Sequence, residues 1–174
     1  MRFGAAGSLG VALGLGFAGL GIVGCSTSAP PAEFAALSTE YGVMRWQRGQ
    51  HAVTGRASFS RSADGGVRIR LDKSGETHPL QLILTPGGLL TASGSLADRQ
   101  WSGAVSKAPP ALATWVTFVT TYQHAADLSP GIREIHSPAH RFVYEKSASG
   151  LRSLSVAGAD LQESIAVAFL PPSP

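Results

Sequence analysis

Few side chains in this sequence are of a type and spacing that could do chemistry. Cys25 is the only cysteine among 174 residues. A lone thiol excludes an intrachain disulfide, a CxxC redox pair and any zinc site built on several cysteines. His136 and His140 stand four apart in His-Ser-Pro-Ala-His. Histidines at that spacing could share a metal on a helix, but Pro138 opposes the helix and no glutamate occupies the place of a general base. His51, His78 and His124 are isolated and read as surface or rim imidazoles. The many serines include no Gly-x-Ser-x-Gly elbow. Glu134 and Glu145 are not paired by spacing, and Arg133 and Arg141 read as solvated. The expectation is a protein that is not an enzyme and uses neither metal nor dissociable cofactor.

The composition bounds what surrounds these residues. With 44% hydrophobic and 14% charged residues, the chain can bury a core and does not belong with disordered polyelectrolytes. A net charge of +3 is too small and scattered to argue for nucleic-acid binding. Asparagine is absent, which excludes N-glycosylation and leaves turns with positive φ mainly to glycine. Arg2 precedes an apolar stretch, Leu9 to Val23, shorter than the ~20 residues a membrane span needs. Eight glycines among the first 24 residues weaken it further as a helix. It reads as an export signal.

The end of that stretch, Ile22-Val23-Gly24-Cys25, resembles the bacterial lipobox. The resemblance implies cleavage before Cys25, a diacylglyceryl group on its sulfur and acylation of the new amino terminus. The only cofactor implied is therefore covalent lipid such as palmitate on Cys25. Two or three acyl chains anchor a protein stably where one does not. Ser26 stands where an inner-membrane retention signal would have Asp, which points to the outer membrane, facing the periplasm. Residues 1–24 are then a signal peptide and 25–32, with the sequence CSTSAPPA, a tether.

Residues 33–170 carry the patterning of one domain. Phe34, Leu37 and Tyr41 recur at helical spacing and predict two turns of helix. Beyond Tyr41 the period changes to two: Val53, Gly55, Ala57 and Phe59, then Val67, Ile69 and Leu71, alternate with polar residues around Asp64-Gly65-Gly66. Leu80 to Leu84, Leu89 to Ser95 and Gln100 to Val105 follow across short turns. With no room for crossovers, the sheet must be antiparallel. Leu112, Trp115, Val116, Val119, Tyr122 and Ala126 mark one face of a helix opened by Pro109-Pro110. Alternation resumes at Arg141–Glu145, Leu151–Val156 and Ile165–Phe169. These elements predict a mainly β (α+β) fold: a curved antiparallel sheet or half-barrel of about 8–10 strands, with helices on the concave face.

FSRSADGGVRIRL from Phe59, then LQLILTPGGLLTASG, W-x-G at Trp101 and PPALATW ending at Trp115, resembles the LolA and LolB-like lipoprotein carriers. FVYEKSASGLRSLSV and SIAVAFL match that group's last strands. The resemblance implies an apolar cavity that receives acyl chains. Its lining would be Val67, Ile69, Leu71, Leu80, Leu82, Leu84, Leu89, Val156, Ile165, Val167 and Phe169, with Trp115, Phe118, Val119 and Tyr122 as a lid. In such a lid Trp115 and Tyr122 belong at the rim. The same residues could instead meet in a solid core, and the sequence does not choose between the two. Lys73 to Thr77 lacks the leucine of the group's outer-membrane carrier loop. The function expected is binding of an acyl chain or other apolar ligand in lipoprotein or lipid traffic. The alternative is an envelope scaffold that binds a protein partner through the sheet edge or convex face.

The anchor is tested directly. Wild type takes up labelled palmitate, and Cys25→Ser stays uncleaved and unlabelled. A wild type without label removes the anchor.

Overall fold

Period-two alternation shapes nearly every segment between turns. The computed structural model, which describes residues 34–73, 76–95, 100–160 and 162–171, forms ten strands from them. These are β1 (Ala36–Arg48), β2 (His51–Ser62), β3 (Val67–Lys73), β4 (Glu76–Leu84), β5 (Leu89–Ser93), β6 (Trp101–Ala104), β7 (Gly131–His136), β8 (His140–Ser147), β9 (Gly150–Gly158) and β10 (Glu163–Phe169). One α-helix, α1 (Ala113–Gln123), lies between β6 and β7, flanked by 3-10 turns at Pro110–Leu112 and Ala125–Asp127. Cys25, the 1–24 signal and the 25–32 tether lie outside the described residues, as do Ser74 and Gly75 of the turn after Lys73.

The strands form one open antiparallel sheet in the order β6-β5-β4-β3-β2-β1-β10-β9-β8-β7. Two meanders, β1 to β6 and β7 to β10, join where the first strand pairs with the last, from Gly42 opposite Phe169 to Arg48 opposite Glu163. This leaves β6 and β7, consecutive in sequence, at opposite edges. The chain between them crosses the sheet and carries α1. The helix touches β3 and β4 on one side and β9 and β10 on the other. In a flat sheet β4 and β9 would lie about 24 Å apart, five strand spacings, whereas a helix is only about 10–12 Å across. The sheet therefore curls around α1 as a half-barrel.

Turn chemistry and close approach fix the register at particular glycines. Gly65 has φ 88° in the β2–β3 turn, where Asp64 accepts hydrogen bonds from the Ser62 hydroxyl and the Gly66 amide. The Ser62 bond in particular holds the Asp64 carboxyl below its ordinary range. Gly55 has no room for a side chain, because a Cβ there would stand 2.3 Å from the Asp72 carbonyl oxygen.

The concave face is the core. Met44 and Trp46 from β1, Phe59 from β2, Ile69 from β3, Leu82 from β4, Leu90 from β5, Leu154 from β9 and Ile165 from β10 are buried around Trp115, Phe118, Val119 and Tyr122. Trp115 meets Trp46 with ring centroids 6.3 Å apart, and Phe59 meets Tyr122 at 5.1 Å. Three sheet cations hold the helix and its ends. Arg48 donates to the Ala111 carbonyl at 2.6 Å, and its Nη2 lies 3.0 Å from Glu163. Arg61 donates to the Tyr122 and Gln123 carbonyls at 2.6 and 2.9 Å, satisfying helix-end acceptors where positive charge is favoured. Lys146 donates to the carbonyls of Ala126 and Leu128. From inside, the Tyr122 hydroxyl donates to Glu40 Oε2 at 2.6 Å.

The structure departs from the sequence pattern at four places. Phe34 to Tyr41 is not a helix: β1 begins at Ala36 and pairs with β2 from its first residue, so the spacing of three and four is incidental. Leu89 faces outward, 55% exposed, and Leu90 takes the inward place. β7 falls in a stretch where the sequence predicts no strand, and all six of its residues are exposed. Trp115 and Tyr122 are not rim residues; each is 1% exposed.

Two variants test this packing. Trp115→Ala leaves a void and lowers unfolding free energy by ~3–5 kcal/mol in denaturant titration, a large share of the ~5–15 kcal/mol typical of a domain. Burial, reinforced by the Glu40 charge, pushes the Tyr122 phenol far above its ordinary range. A raised folded-state pKa gives stability that is complete below the unfolded value, about 10, and is lost as the pH climbs beyond it. Tyr122→Phe is therefore less stable than wild type at neutral pH, and its stability falls less steeply above pH ~10.

Candidate apolar-ligand site

The residues expected to line a cavity lie together in the concave core. Val67, Ile69, Leu71, Phe118, Val119, Leu82 and Ile165 have no accessible surface, and Leu84, Trp115, Tyr122 and Val167 have no more than 3%. Surface facing an internal void of water size would count as accessible, so these side chains border almost no such space. An acyl chain among them would require α1 to move away. Phe169 differs: it is partly buried, stacks on Tyr122 with centroids 5.8 Å apart, and borders a groove at the end of the half-barrel.

An apolar groove lies at the seam where the half-barrel fails to close. α1 fills the half-barrel with one face, while Thr120, Thr121 and His124 flank the opposite wall made by β7 and β8. Between them runs a groove of about 310 Å³ lined also by Leu128, Ile135, Phe142 and Tyr144. The register explains the wall. Ile135 is opposite Phe142, and Phe142 is opposite Val156; one step along, Tyr144 is opposite Leu154. Directly opposed residues share a face, so this apolar surface continues the core outward until α1 no longer covers it. The Thr120 and Thr121 hydroxyls are bonded back to the Val116 and Thr117 carbonyls at 2.8 Å. Backbone-bonded hydroxyls need no partner from a ligand. The groove is at the small end of the range for ligand pockets and has the apolar character of most of them.

Apart from His124, which reads as a surface or rim imidazole, none of these residues is marked as a site by the sequence. Phe142 and Tyr144 are legible as one face of a strand, but Ile135 sits on an edge strand with no burial signature. Thr120, Thr121 and His124 fall off the helix's apolar stripe. A helical wheel combined with the two-residue alternation of β8 is the signal that would have paired them.

The histidine pair is split between two faces. His136 lies 2.8 Å from Glu134, which also accepts a bond from Arg141; that guanidinium, with His136 adding to it, holds the Glu134 carboxyl below its usual range. His140 Nδ1 instead lies 3.4 Å from the Thr117 hydroxyl of α1. Among the described residues no group of three or more His, Cys, Asp or Glu side chains is placed to hold a metal. No described helix is long and apolar enough to cross a membrane.

No family model matches the chain, and no curated protein matches it in sequence. Among solved structures, it is similar to a LolA superfamily protein from Nitrosomonas europaea. That match has 10% identity and a TM-score of 0.37, and covers 78% of this chain and 86% of that one.

Proposed function

We propose that the chain is a lipid-anchored protein of the bacterial envelope whose half-barrel holds one acyl chain, or another apolar ligand of similar girth, in the seam groove. On this reading it serves lipoprotein or lipid traffic at the outer membrane, facing the periplasm, performs no catalysis and carries covalent lipid on Cys25 as its only prosthetic group. The observation that supports ligand binding is the apolar groove between α1 and the β7–β8 wall. It is bordered by Phe142 and Tyr144, and its threonine hydroxyls are already satisfied. Contact with Phe142 and Ile135 would stabilise a bound chain at ~25 cal/mol per Å² removed from water.

A second reading is supported by β7. It is an edge strand, exposed at all six residues, with Ile132 73% exposed. Such an edge can accept a strand from a partner protein.

A fluorescent fatty acid titrated onto the unit from Glu33 onward separates the two. The acyl reading predicts saturable binding that Phe142→Asp weakens at least about tenfold, since losing even half the burial of one large apolar side chain is worth ~1.4 kcal/mol. Absence of saturable binding, with a protein that co-purifies through β7, replaces it by the scaffold reading.

A further inference from the structure

At the end of the half-barrel where β1 begins and β10 ends, a second groove of about 920 Å³ opens between Glu40, Tyr41, Leu151, Arg152, Phe169 and Leu170. It is separate from the seam. On β8, Tyr144 borders the seam and Ser147 this groove, and between them Lys146 is bonded to the carbonyls of Ala126 and Leu128. Apolar contact is available from Phe169, which packs on Phe59 with centroids 4.9 Å apart, and from Leu151 and Leu170.

Two charges of opposite sign share this groove. Glu40 Oε2 is held by the Tyr122 hydroxyl, and Tyr122 is fixed in turn by the Arg61 guanidinium 4.3 Å from its ring centroid. Glu40 Oε1 faces the β8–β9 turn, 4.0 Å from where a Cβ would stand at Gly150. Glycine is required there by its φ of 136°, so the space beside the carboxylate stays open. Arg152, two residues further along β9, is 65% exposed and pairs only loosely with Glu145 at 3.6 Å. Such an exposed pair is weak enough for a phosphate, which suits a guanidinium fork, to compete with it.

We propose that this groove binds an amphiphile with a zwitterionic phosphoethanolamine head. The ammonium is received by Glu40, the phosphate by Arg152, and the tail lies on Phe169, Leu151 and Leu170. A fatty-acid carboxylate can pair with Arg152 but leaves Glu40 without a cation, so a head that carries both charges fits this site better, and the site does not depend on the seam's occupant.

The test is calorimetric titration of the full-length chain, with Cys25→Ser to remove the lipid acceptor. The probes are lysophosphatidylethanolamine and lysophosphatidylglycerol of equal tail, below their micelle concentrations. Lysophosphatidylethanolamine is expected to bind about tenfold more tightly, and Glu40→Gln, which keeps an acceptor for Tyr122, removes that preference. Arg152→Gln, at an exposed site, weakens both phospholipids by about tenfold. Equal affinity of wild type for the two heads, or unchanged affinities in both variants, overturns the proposal. Loss of fatty-acid binding by Phe142→Asp with lysophosphatidylethanolamine binding intact supports two separate sites, whereas loss of both in that variant contradicts them.

Discussion

The first strand pairs with the last, and this single long-range pairing decides where the edges, the helix and the seam must lie. Seven residue pairs, from Gly42–Phe169 to Arg48–Glu163, join the two meanders in the middle of the sheet. Once they are joined there, β6 and β7 become opposite edges, and residues 105–130 must travel from one to the other. A connection that long cannot cross an apolar face with its backbone groups unsatisfied, and a helix satisfies most of them internally. Its apolar stripe then meets the sheet from both sides, which curls the sheet and closes the core. The helix occupies the place that a barrel's last pairing would otherwise seal, and so the seam beside β7 remains.

The ends of that crossing are held by charge. Arg61 and Lys146 project from the sheet to carbonyls at and beyond the C-terminal end of α1, where acceptors lack intrahelical partners, and Arg48 reaches the Ala111 carbonyl in the turn before α1. Glu40 and Tyr122 add a part-buried contact between the start of β1 and the last turn of α1. With these bonds and the aromatic contacts of Trp115, Phe118 and Tyr122, α1 acts as a plug, and the open grooves lie beside it and beyond its end. The two grooves differ accordingly. The seam is apolar because it continues the concave face, whereas the end groove mixes charges with apolar walls because strand termini and turns supply its rim.

The sequence carries the fold more clearly than the sites, for a physical reason. Strands buried on one face, such as Val67-Arg68-Ile69-Arg70-Leu71, write their orientation into alternation, and Leu112 to Tyr122 does the same at helical period. β1 is less legible because its inward positions are Glu40 and Gly42 before Met44 and Trp46 begin, so the regular apolar pattern starts late. β7 leaves no pattern because neither of its faces is covered. Likewise, the strongest alternation marks side chains that fill the core, and the groove residues are those at which burial stops: Ile135, Phe142, Thr121, Leu170. Their exposure depends on the edge-to-edge crossing, a long-range feature that no local window contains.

On the acyl-binding proposal, ligand meets this fold beside the helix and does not enter beneath it. Isotope-edited NMR on protein with labelled isoleucine methyl groups and unlabelled palmitate tests this most directly, because Ile135 lies in the seam while Ile69 and Ile165 lie in the closed core. Nuclear Overhauser contacts are expected from the acyl chain to Ile135 and none to Ile69 or Ile165. Contacts to Ile69 and Ile165 would show that α1 lifts as a lid, and would contradict that proposal.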